Sequence, residues 1–372
     1  MSIKVCYIIS KVKKSLNIEW LALELDRKKV AQCYILLNDA FFPLEQFLIE
    51  KKIPVYRIYY RSKIHLPLTI IRLIVLLKKL RPDIVHTHLF DASLAGLIAA
   101  WFAGVKKRIH TRHHAAYHHS YHPHAVKYDR LINFLSLHII TISENVRNIL
   151  HYKEKVPLSK ISIHYHALQL DAFENVSEQR VENLRKKYDL EEKNPVIGVI
   201  SRYTFLKGVQ YIVPAYKKII AEYPNACLLL ANAFGDFSPE IKNLLHTLPK
   251  DSYRESAFEE DIIALYRLFD IFIHVPVDKS SEAYGLVYIE ALASGIPSVV
   301  TISGIADEFI EDNKNALVVP FKDSESIYKA VLRILKDEKL KNRLSSEGKK
   351  TVQEKYNIKN TARQLEDFYI RL

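Results

Sequence analysis

The chain has 372 residues, a formal net charge of +12 and an apolar fraction of 49%, which allows two domains of ordinary size with ample core. No uncharged apolar run approaches the roughly 18 residues needed to span a bilayer, and no cysteine pair has zinc-ligand spacing. The sequence therefore excludes a membrane-spanning protein and a cysteine zinc site.

Three cysteines, Cys6, Cys33 and Cys227, are far apart, and each lies in an apolar run. This pattern predicts buried, reduced thiols in a cytoplasmic protein. The positive charge suits an anionic donor, an anionic membrane surface or nucleic acid. Because the charge is not concentrated in a tail, it does not choose between these partners.

Short apolar strand-like runs alternate with amphipathic helical runs along the whole chain. This alternation is typical of α/β architecture with parallel sheets and right-handed crossovers. Residues 1–10 are predicted to form a first strand and not a signal peptide. In the first half the predicted strands lie near residues 4–9, 32–37, 55–59, 83–86, 108–111, 139–142 and 161–164.

Residues 168–195 are polar and helical without a strand, which predicts a domain junction. A second alternation follows, with predicted strands near 196–200, 226–231, 271–275, 298–301 and 316–319, and the segment 323–372 is helical and charged. We expect two doubly wound, Rossmann-like domains, 1–170 and 171–350. Two such domains facing each other leave a central cleft at the carboxyl ends of their strands, where ligands bind.

The stretch 281–301 is predicted to form a loop, a helix and a strand, directly after the strand at 270–275. Glu282 and Glu290 are eight residues apart, about 12 Å if helical. Between them a helix begins, where free N–H groups favour an anion, and Gly285 lets a ligand approach the backbone. Carboxylate, anion site and carboxylate match the sugar, diphosphate and ribose of a nucleotide sugar. The alternative is an exposed acidic loop followed by a helix-surface glutamate.

The string from Glu282 to Glu290, continued through Pro297, resembles the Glu-x7-Glu motif of the retaining glycosyltransferases of family 4, which have the GT-B fold. The resemblance implies that the first glutamate lies by the donor sugar, the amides after the glycine meet the diphosphate, and the second glutamate holds the ribose. It also implies that a C-terminal helix, 351–372, crosses back to the first domain. The donor-binding residues of this stretch are then Glu282, Tyr284, Gly285, Leu286, Val287 and Glu290.

Two cations, Arg202 and Lys207, follow a strand and precede a helix, so they leave the carboxyl end of the second sheet. A guanidinium fork and an ammonium group suit a departing diphosphate and stabilise its charge without a metal. Arg202, Lys207 and Gly208 match the family pattern Gly-Arg-x4-Lys-Gly, with Ser201 in place of its first glycine. The alternative is a pair of solvated basic residues on a loop.

The segment 256–266 resembles the one that flanks the nucleotide base in the family, which makes Phe258 a candidate base contact or, alternatively, a core residue. Two departures lie nearby. The loop 274–280 is longer than the family's, and Ile305 stands where a Gly-Gly-x-x-Glu loop has its second glycine.

On the acceptor side, His86 and His88 would point to one side of a strand, and we expect them to brace a loop. Thr111-Arg-His113 is similar to the family's Thr-x-His arrangement near the reacting sugar, with His113 the first choice and His114 the second. His113 could donate to a sugar hydroxyl, and Arg112 could meet an anionic acceptor. The alternative is a polar loop with no ligand. The histidines of residues 117–124 match no zinc pattern, so no metal is expected.

The segment 66–81 is apolar with basic residues. It could lie on an anionic membrane surface, or it could be a crossover helix that buries an apolar stripe against the sheet. The sequence alone leaves both interpretations open.

These observations lead us to expect a cytoplasmic, metal-independent retaining glycosyltransferase of hexosyltransferase type, without a cofactor and without a nucleic-acid partner. Its catalytic residues would be His113, Glu282, Arg202 and Lys207. It would move a sugar from a nucleoside diphosphate sugar to a hydroxyl of a glycan, glycolipid or other acceptor, in cell-surface glycan or glycolipid synthesis, with peripheral contact at the inner membrane face as an option. Because no nucleophile is placed, a same-face displacement is favoured. The alternatives are a nucleotide-sugar epimerase on the same fold and a non-catalytic basic protein that binds membrane or nucleic acid.

Overall fold

The computed structural model describes residues 2–372, except for the side chain of Ser120. In this range thirteen strands form two sheets, and every strand pairing is parallel. The strands are β1 Ile3–Ser10, β2 Val30–Asn38, β3 Val55–Tyr59, β4 Ile84–His88, β5 Lys107–Arg112, β6 His138–Thr141, β7 Ile161–Ile163, β8 Val196–Ile200, β9 Cys227–Ala231, β10 Tyr253–Ser256, β11 Ile271–His274, β12 Ser298–Val300 and β13 Leu317–Val318.

Sixteen α-helices connect these strands within the described residues. They are α1 Leu16–Glu24, α2 Pro43–Glu50, α3 Leu66–Leu80, α4 Phe90–Phe102, α5 Tyr117–Tyr121, α6 Val126–Leu135, α7 Glu144–Asn148, α8 Leu170–Glu174, α9 Glu178–Lys187, α10 Val209–Glu222, α11 Ser238–Leu245, α12 Ile262–Tyr266, α13 Leu286–Ala293, α14 Ser324–Lys336, α15 Glu338–Lys355 and α16 Ile358–Arg371.

The chain divides into two compact units, one of residues 1–168 and 358–372 and the other of residues 169–357. The first unit holds a seven-stranded sheet of order β3-β2-β1-β4-β5-β6-β7. One face of this sheet packs against α1, α2 and α16, and the other packs against α3 and α4. Its central strands are buried on both faces because they consist of nearly continuous β-branched and aliphatic residues.

The last helix, α16, belongs to the first unit. Its Glu366 accepts a hydrogen bond from the Asp26 amide at 2.7 Å, and the Tyr369 hydroxyl lies 3.0 Å from that of Tyr7. The helix that packs here begins at Ile358, whereas residues 351–355 continue α15 of the second unit, where Val352 is fully buried.

The second unit holds a six-stranded sheet of order β10-β9-β8-β11-β12-β13. The alternating α/β organisation is confirmed, and all twelve predicted strands are present. One strand, β10, was not predicted. It lies at the sheet edge, and its residues Tyr-Arg-Glu-Ser are half buried or exposed, so it lacks the apolar run that marks a central strand.

No helix in the described part of the chain is both long enough and apolar enough to cross a membrane. The three cysteines are buried, as expected, and none of them forms a disulfide bond.

Candidate functional site

The helix α13 begins at a glycine in a left-handed conformation. Gly285 has φ +92° and occupies the position just before the helix. A Cβ at this position would lie 2.7 Å from the ring of Tyr288, so a larger residue would displace the turn. The first amides of α13, those of Leu286 and Val287, have no carbonyl partner within the helix. This turn therefore presents N–H groups and the positive end of the helix dipole to an anion.

Glu282 lies in the loop before this helix and is only 7% exposed. The Lys207 ammonium donates a hydrogen bond to Glu282 Oε1, and His274 Nε2 lies 2.9 Å from the same oxygen. Three residues from three loops or strands therefore meet at one carboxylate. The sequence indicated Glu282 and Lys207 but not His274, which looked like an ordinary strand residue.

The loops after β8 and β11 are in direct contact, and this contact brings Lys207 to Glu282. Gly208 has φ +75°, and a Cβ there would overlap the carbonyl oxygen of Val275. In addition, the Val277 amide donates to the Leu206 carbonyl at 3.0 Å. Because these two loops share backbone contacts, the backbone of Lys207 is held in place beside Glu282.

The electrostatics of this group keep Glu282 ionised. Burial by itself would raise the pKa of Glu282, but the charge of Lys207 and the hydrogen bond from His274 lower it to about 2. Burial lowers the pKa of His274, although Glu282 opposes that shift. A neutral His274 carries its proton on Nε2, facing the carboxylate, because the buried Nδ1 has no hydrogen-bond partner in the described residues.

Glu290 projects from α13 towards α12. The Tyr266 hydroxyl donates a hydrogen bond to Glu290 Oε2 at 2.8 Å. Burial raises the pKa of Glu290, and the bond from Tyr266 partly opposes that rise. The second carboxylate of the motif is thus oriented by a buried tyrosine, which the sequence did not indicate.

Arg202 is exposed, and no carboxylate in the described part of the chain forms an ion pair with it. It leaves the carboxyl end of β8, the same strand that leads to Lys207. Phe258 is 65% exposed in the loop after β10. The core-packing alternative for Phe258 is therefore wrong, whereas its role as a base contact stays a prediction.

The loop at residues 304–308 lies directly against Glu282. A Cβ on Gly304 would come within 2.6 Å of Glu282 Cβ, and the Ile305 amide donates to the Tyr284 carbonyl at 3.0 Å. The side chain of Ile305 is fully buried. Ile305, which stands in place of the second glycine, therefore fills a core position, and the loop lies against Glu282 all the same.

In the first unit, histidines cluster at the ends of β4 and β5. His113 Nε2 lies 3.1 Å from His88 Nδ1, and the His113 ring stacks on His166 with centroids 5.3 Å apart. His86 bridges the Thr111 hydroxyl at 2.6 Å and Tyr369. Burial, followed by repulsion from neighbouring histidines, holds the pKa of His113 well below its usual range. His113 is therefore a neutral donor or acceptor of hydrogen bonds.

Arg112 is placed differently from the prediction, whereas the acceptor-side role of His114 stays a prediction. Arg112 is 1% exposed, and its guanidinium pairs with Asp129 and Glu154, each at 2.8 Å. Nε2 of His114 lies 3.6 Å from Asp129. Because the charge of Arg112 is neutralised internally, this geometry does not support contact between Arg112 and an acceptor. The sequence did not indicate these ion pairs, because Asp129 and Glu154 are far from Arg112 along the chain.

Among the residues that the structure describes, one group of side chains has ligand atoms close enough to hold a metal ion. The ligand atoms of His114, His118 and Asp129 lie within 4.8 Å of one another. One carboxylate, that of Asp129 from α6, therefore lies among these histidines. However, both oxygens of Asp129 already contact the Arg112 guanidinium, whose positive charge would repel a cation. The arrangement favours a buried ion-pair network.

Two family profiles match most of the chain. Residues 180–351 match the profile described as "Glycosyl transferases group 1", and residues 21–172 match "Glycosyltransferase Family 4". The first match falls on the second compact unit. The second match falls on the first compact unit and does not include its last helix, α16.

Sequence relatives match the chain at modest identity. An uncharacterized glycosyltransferase of Methanocaldococcus jannaschii is 27% identical over 250 residues, covering 66% of this chain and 62% of the relative. The N-acetyl-alpha-D-glucosaminyl L-malate synthase of Bacillus anthracis is 25% identical, covering 50% of this chain and 48% of the relative. The chain thus spans less than two thirds of either protein. The capsular polysaccharide biosynthesis glycosyltransferase CapM of Staphylococcus aureus is 24% identical, covering 81% and 80%.

Solved structures of the same fold match over the whole chain. HepE of Anabaena in complex with UDP and glucose has a TM-score of 0.85 at 15% identity, covering 100% of both chains. A glycosyltransferase from Rickettsia africae has a TM-score of 0.78 at 20% identity, covering 99% and 98%. UDP-GlcNAc 2-epimerase from Neisseria meningitidis has a TM-score of 0.71 at 14% identity, covering 100% of both chains. These similarities confirm the predicted GT-B fold class.

Proposed function

Because this chain belongs to glycosyltransferase family 4, we propose that it is a retaining, metal-independent enzyme that moves a hexose-type sugar from a nucleoside diphosphate sugar to an acceptor hydroxyl. The proposed pathway class is glycan or glycolipid synthesis. We propose a cytoplasmic location, with peripheral contact at the inner face of the membrane as an option. The observation that carries the proposal is the meeting of Lys207, Glu282 and the start of α13 in one site.

The chemistry assigned to this site follows from its charges. The diphosphate would bind at the amides of Leu286 and Val287, where the helix dipole favours an anion. The exposed guanidinium of Arg202 offers a bidentate fork, and Lys207 offers a point charge. Together these groups would stabilise the negative charge that develops on the leaving diphosphate.

Glu282 is assigned a positioning role towards the sugar. With a pKa of about 2 it stays ionised at neutral pH, so it accepts hydrogen bonds from sugar hydroxyls and cannot act as a proton donor. It also orients Lys207 until the diphosphate shares that cation. Glu290, held by Tyr266, would accept bonds from the ribose hydroxyls. His113 is proposed to donate to a hydroxyl of the reacting sugar, because its imidazole is neutral.

Donor binding is the first test. Since the structure of HepE contains UDP and glucose, we would titrate UDP and UDP-sugars by calorimetry against the native chain, Arg202→Ala and Lys207→Ala. Loss of one charged hydrogen bond costs about 1.5–3 kcal/mol, so each variant is expected to bind UDP about tenfold to a hundredfold more weakly. The matched control is Lys217→Ala, an exposed lysine on α10. Equal affinities in all four proteins would contradict the site.

Product analysis tests the reaction. The native enzyme with donor and acceptor is expected to yield a glycoside with the anomeric configuration of the donor, and its activity should survive a chelator. The fold is shared with a nucleotide-sugar epimerase, which needs no acceptor. Release of a free epimerised sugar nucleotide without any glycoside would replace transfer by epimerisation. Salt-sensitive binding to nucleic acid that survives Lys207→Ala would instead indicate a non-catalytic basic protein.

A further inference from the structure

The short helix α5 presents two tyrosines to solvent. Tyr117 and Tyr121 are each 51% exposed, and their interval of four residues places them on the same side of the helix. Their ring centroids lie 5.5 Å apart, and the ring of His122, the next residue, lies 5.2 Å from that of Tyr117. We call Tyr117, Tyr121 and His122 the aromatic platform. Exposed rings that cluster in this way, unlike scattered ones, mark an interaction surface.

A buried network behind α5 holds the platform in place. His118 Nδ1 lies 2.7 Å from Asp129 Oδ2. His119 Nε2 lies 3.1 Å from Glu154 Oε1. Both carboxylates are buried and also accept hydrogen bonds from the Arg112 guanidinium. Because a helix of five residues is too short to be stable alone, these contacts fix its backbone, and a fixed surface loses less entropy when it binds a ligand.

The platform combines apolar ring faces with polar edges. The Tyr117 hydroxyl lies 3.2 Å from His122 Nε2, and phenol and imidazole groups can both donate and accept hydrogen bonds. A face that enters a bilayer normally carries leucine, phenylalanine or tryptophan. None of these is among the described exposed residues between 117 and 130. The chemistry of the platform therefore favours a ligand that is apolar on one face and rich in hydroxyls at its edge.

The platform lies at the carboxyl end of the first sheet. The strand β5 ends at Arg112, and the chain passes through His113 and His114 before α5 begins. The ring of His114 lies 4.2 Å from that of His118. Ligands of α/β proteins bind at the carboxyl ends of parallel strands. The platform is thus next to His113, the residue that we propose to face the reacting sugar.

Aromatic side chains continue from the platform to two neighbouring helices. The ring of Phe90, the first residue of α4, lies 4.8 Å from that of His118 and 6.4 Å from that of Tyr128. Tyr128 on α6 is 41% exposed, and the Lys127 ammonium lies 5.1 Å from its ring centroid. This surface is longer than a single small ring requires.

A sugar chain fits these features. One face of a pyranose ring consists of C–H bonds, which the negative face of an aromatic ring attracts, and its edge carries hydroxyls that bond to phenol and imidazole. We propose that the aromatic platform binds a sugar ring of an oligosaccharide acceptor, at least one unit away from the hydroxyl that is glycosylated. Tyr128 would contact a further unit of the same chain. This inference rests on the proposed function, and it identifies the acceptor as a saccharide chain.

Binding to an array of immobilised saccharides, without any donor, tests the platform. The probes are neutral and acidic oligosaccharides together with their matching monosaccharides. We expect the full chain to bind at least one oligosaccharide about tenfold or more tightly than its monosaccharide. This binding should change little with salt, because stacking does not depend on charge. Tyr117→Ala combined with Tyr121→Ala should weaken it at least tenfold, since one stacked ring contributes roughly a factor of ten.

Two further variants separate stacking from a general loss of structure. Tyr117→Phe combined with Tyr121→Phe keeps both rings and should retain most of the binding. Tyr56→Ala combined with Tyr152→Ala is the matched control, because these tyrosines are 37% and 66% exposed and lie outside the platform. This control should bind saccharides like the native chain.

Several outcomes would overturn the inference. They are no binding to any oligosaccharide, equal binding of oligosaccharides and monosaccharides, or equal losses in the platform and control variants. Binding to phosphatidylglycerol vesicles that the double alanine variant loses would instead assign the rings to a lipid surface.

The donor site is tested separately by titrating UDP into the same platform variants. UDP binding without saccharide binding would refute the platform and leave the donor site standing. Saccharide binding without UDP binding would refute the donor site.

Discussion

The pair of Lys207 and Glu282 allows a quantitative expectation. Lys207→Met removes the cation but keeps a side chain of similar length. Burial alone would raise the pKa of Glu282, yet Lys207 and His274 lower it from 4.5 to about 2, which corresponds to about 3 kcal/mol of native-state stability at neutral pH. Because His274 still contacts the same oxygen, we expect Lys207→Met to destabilise the second unit by about 2–3 kcal/mol, somewhat less than a fully unpaired buried charge.

The pH dependence of this loss has a definite sign. The stabilisation from ionised Glu282 is fully present above the ordinary pKa of 4.5 and is lost as the pH falls towards 2. The difference in stability between the native chain and Lys207→Met should therefore narrow below about pH 4.5. Adding Glu282→Gln to Lys207→Met should restore part of the loss at neutral pH, since no unpaired charge then remains buried.

The assay must report on the second unit, because a chain of two units need not unfold in one step. Amide hydrogen exchange of α13 and β11 measures local opening there, and the urea midpoint gives a second value. Lys217→Met is the control. The reasoning fails if Lys207→Met is as stable as the native chain at pH 7, or if the double variant loses the sum of both single losses.

Three further expectations concern other parts of the chain. Arg112→Met removes the guanidinium that pairs with Asp129 and Glu154 and leaves these two buried carboxylates with histidine and asparagine partners. It should destabilise the first unit by about 3–5 kcal/mol in urea unfolding, whereas Arg130→Met, on the exposed side of α6, should not. Gly208→Ala forces a Cβ into a backbone carbonyl and should weaken UDP binding at least tenfold by calorimetry; unchanged affinity would contradict the loop contact. Burial lowers the pKa of His164 and His166 to about 4, so the melting temperature of the first unit should fall as the pH drops from 6.5 towards 4, and a flat profile would refute this.

The proposed donor site was the most predictable part of the molecule. Glu282, Gly285 and Glu290 lie within nine residues, so one loop and one helix arrange them. Lys207 follows a strand whose place along the chain was predicted. The partners His274 and Tyr266 were not predicted. In the sequence, each of them looks like an ordinary core residue. Only the packing of β11 and α12 against α13 brings each side chain to a carboxylate.

The acceptor-side predictions fared differently because they depended on distant contacts. A sequence cannot show whether Arg112 faces solvent or an internal carboxylate. The structure pairs it with Asp129 from α6 and Glu154 from beyond α7, and so removes it from the surface. In the same way, Tyr369 from the last helix reaches His86 on β4.

The sequence by itself determined the two α/β halves, the positions of twelve strands and the glutamate-flanked helix start, because these follow from local periodicity and from chemistry within a few residues. Only the tertiary structure decided which side of α3 meets the core, which charges are paired internally and which histidine holds Glu282. The physical reason is that burial and ion pairing depend on distances between segments that are far apart along the chain, and local patterns carry no information about those distances.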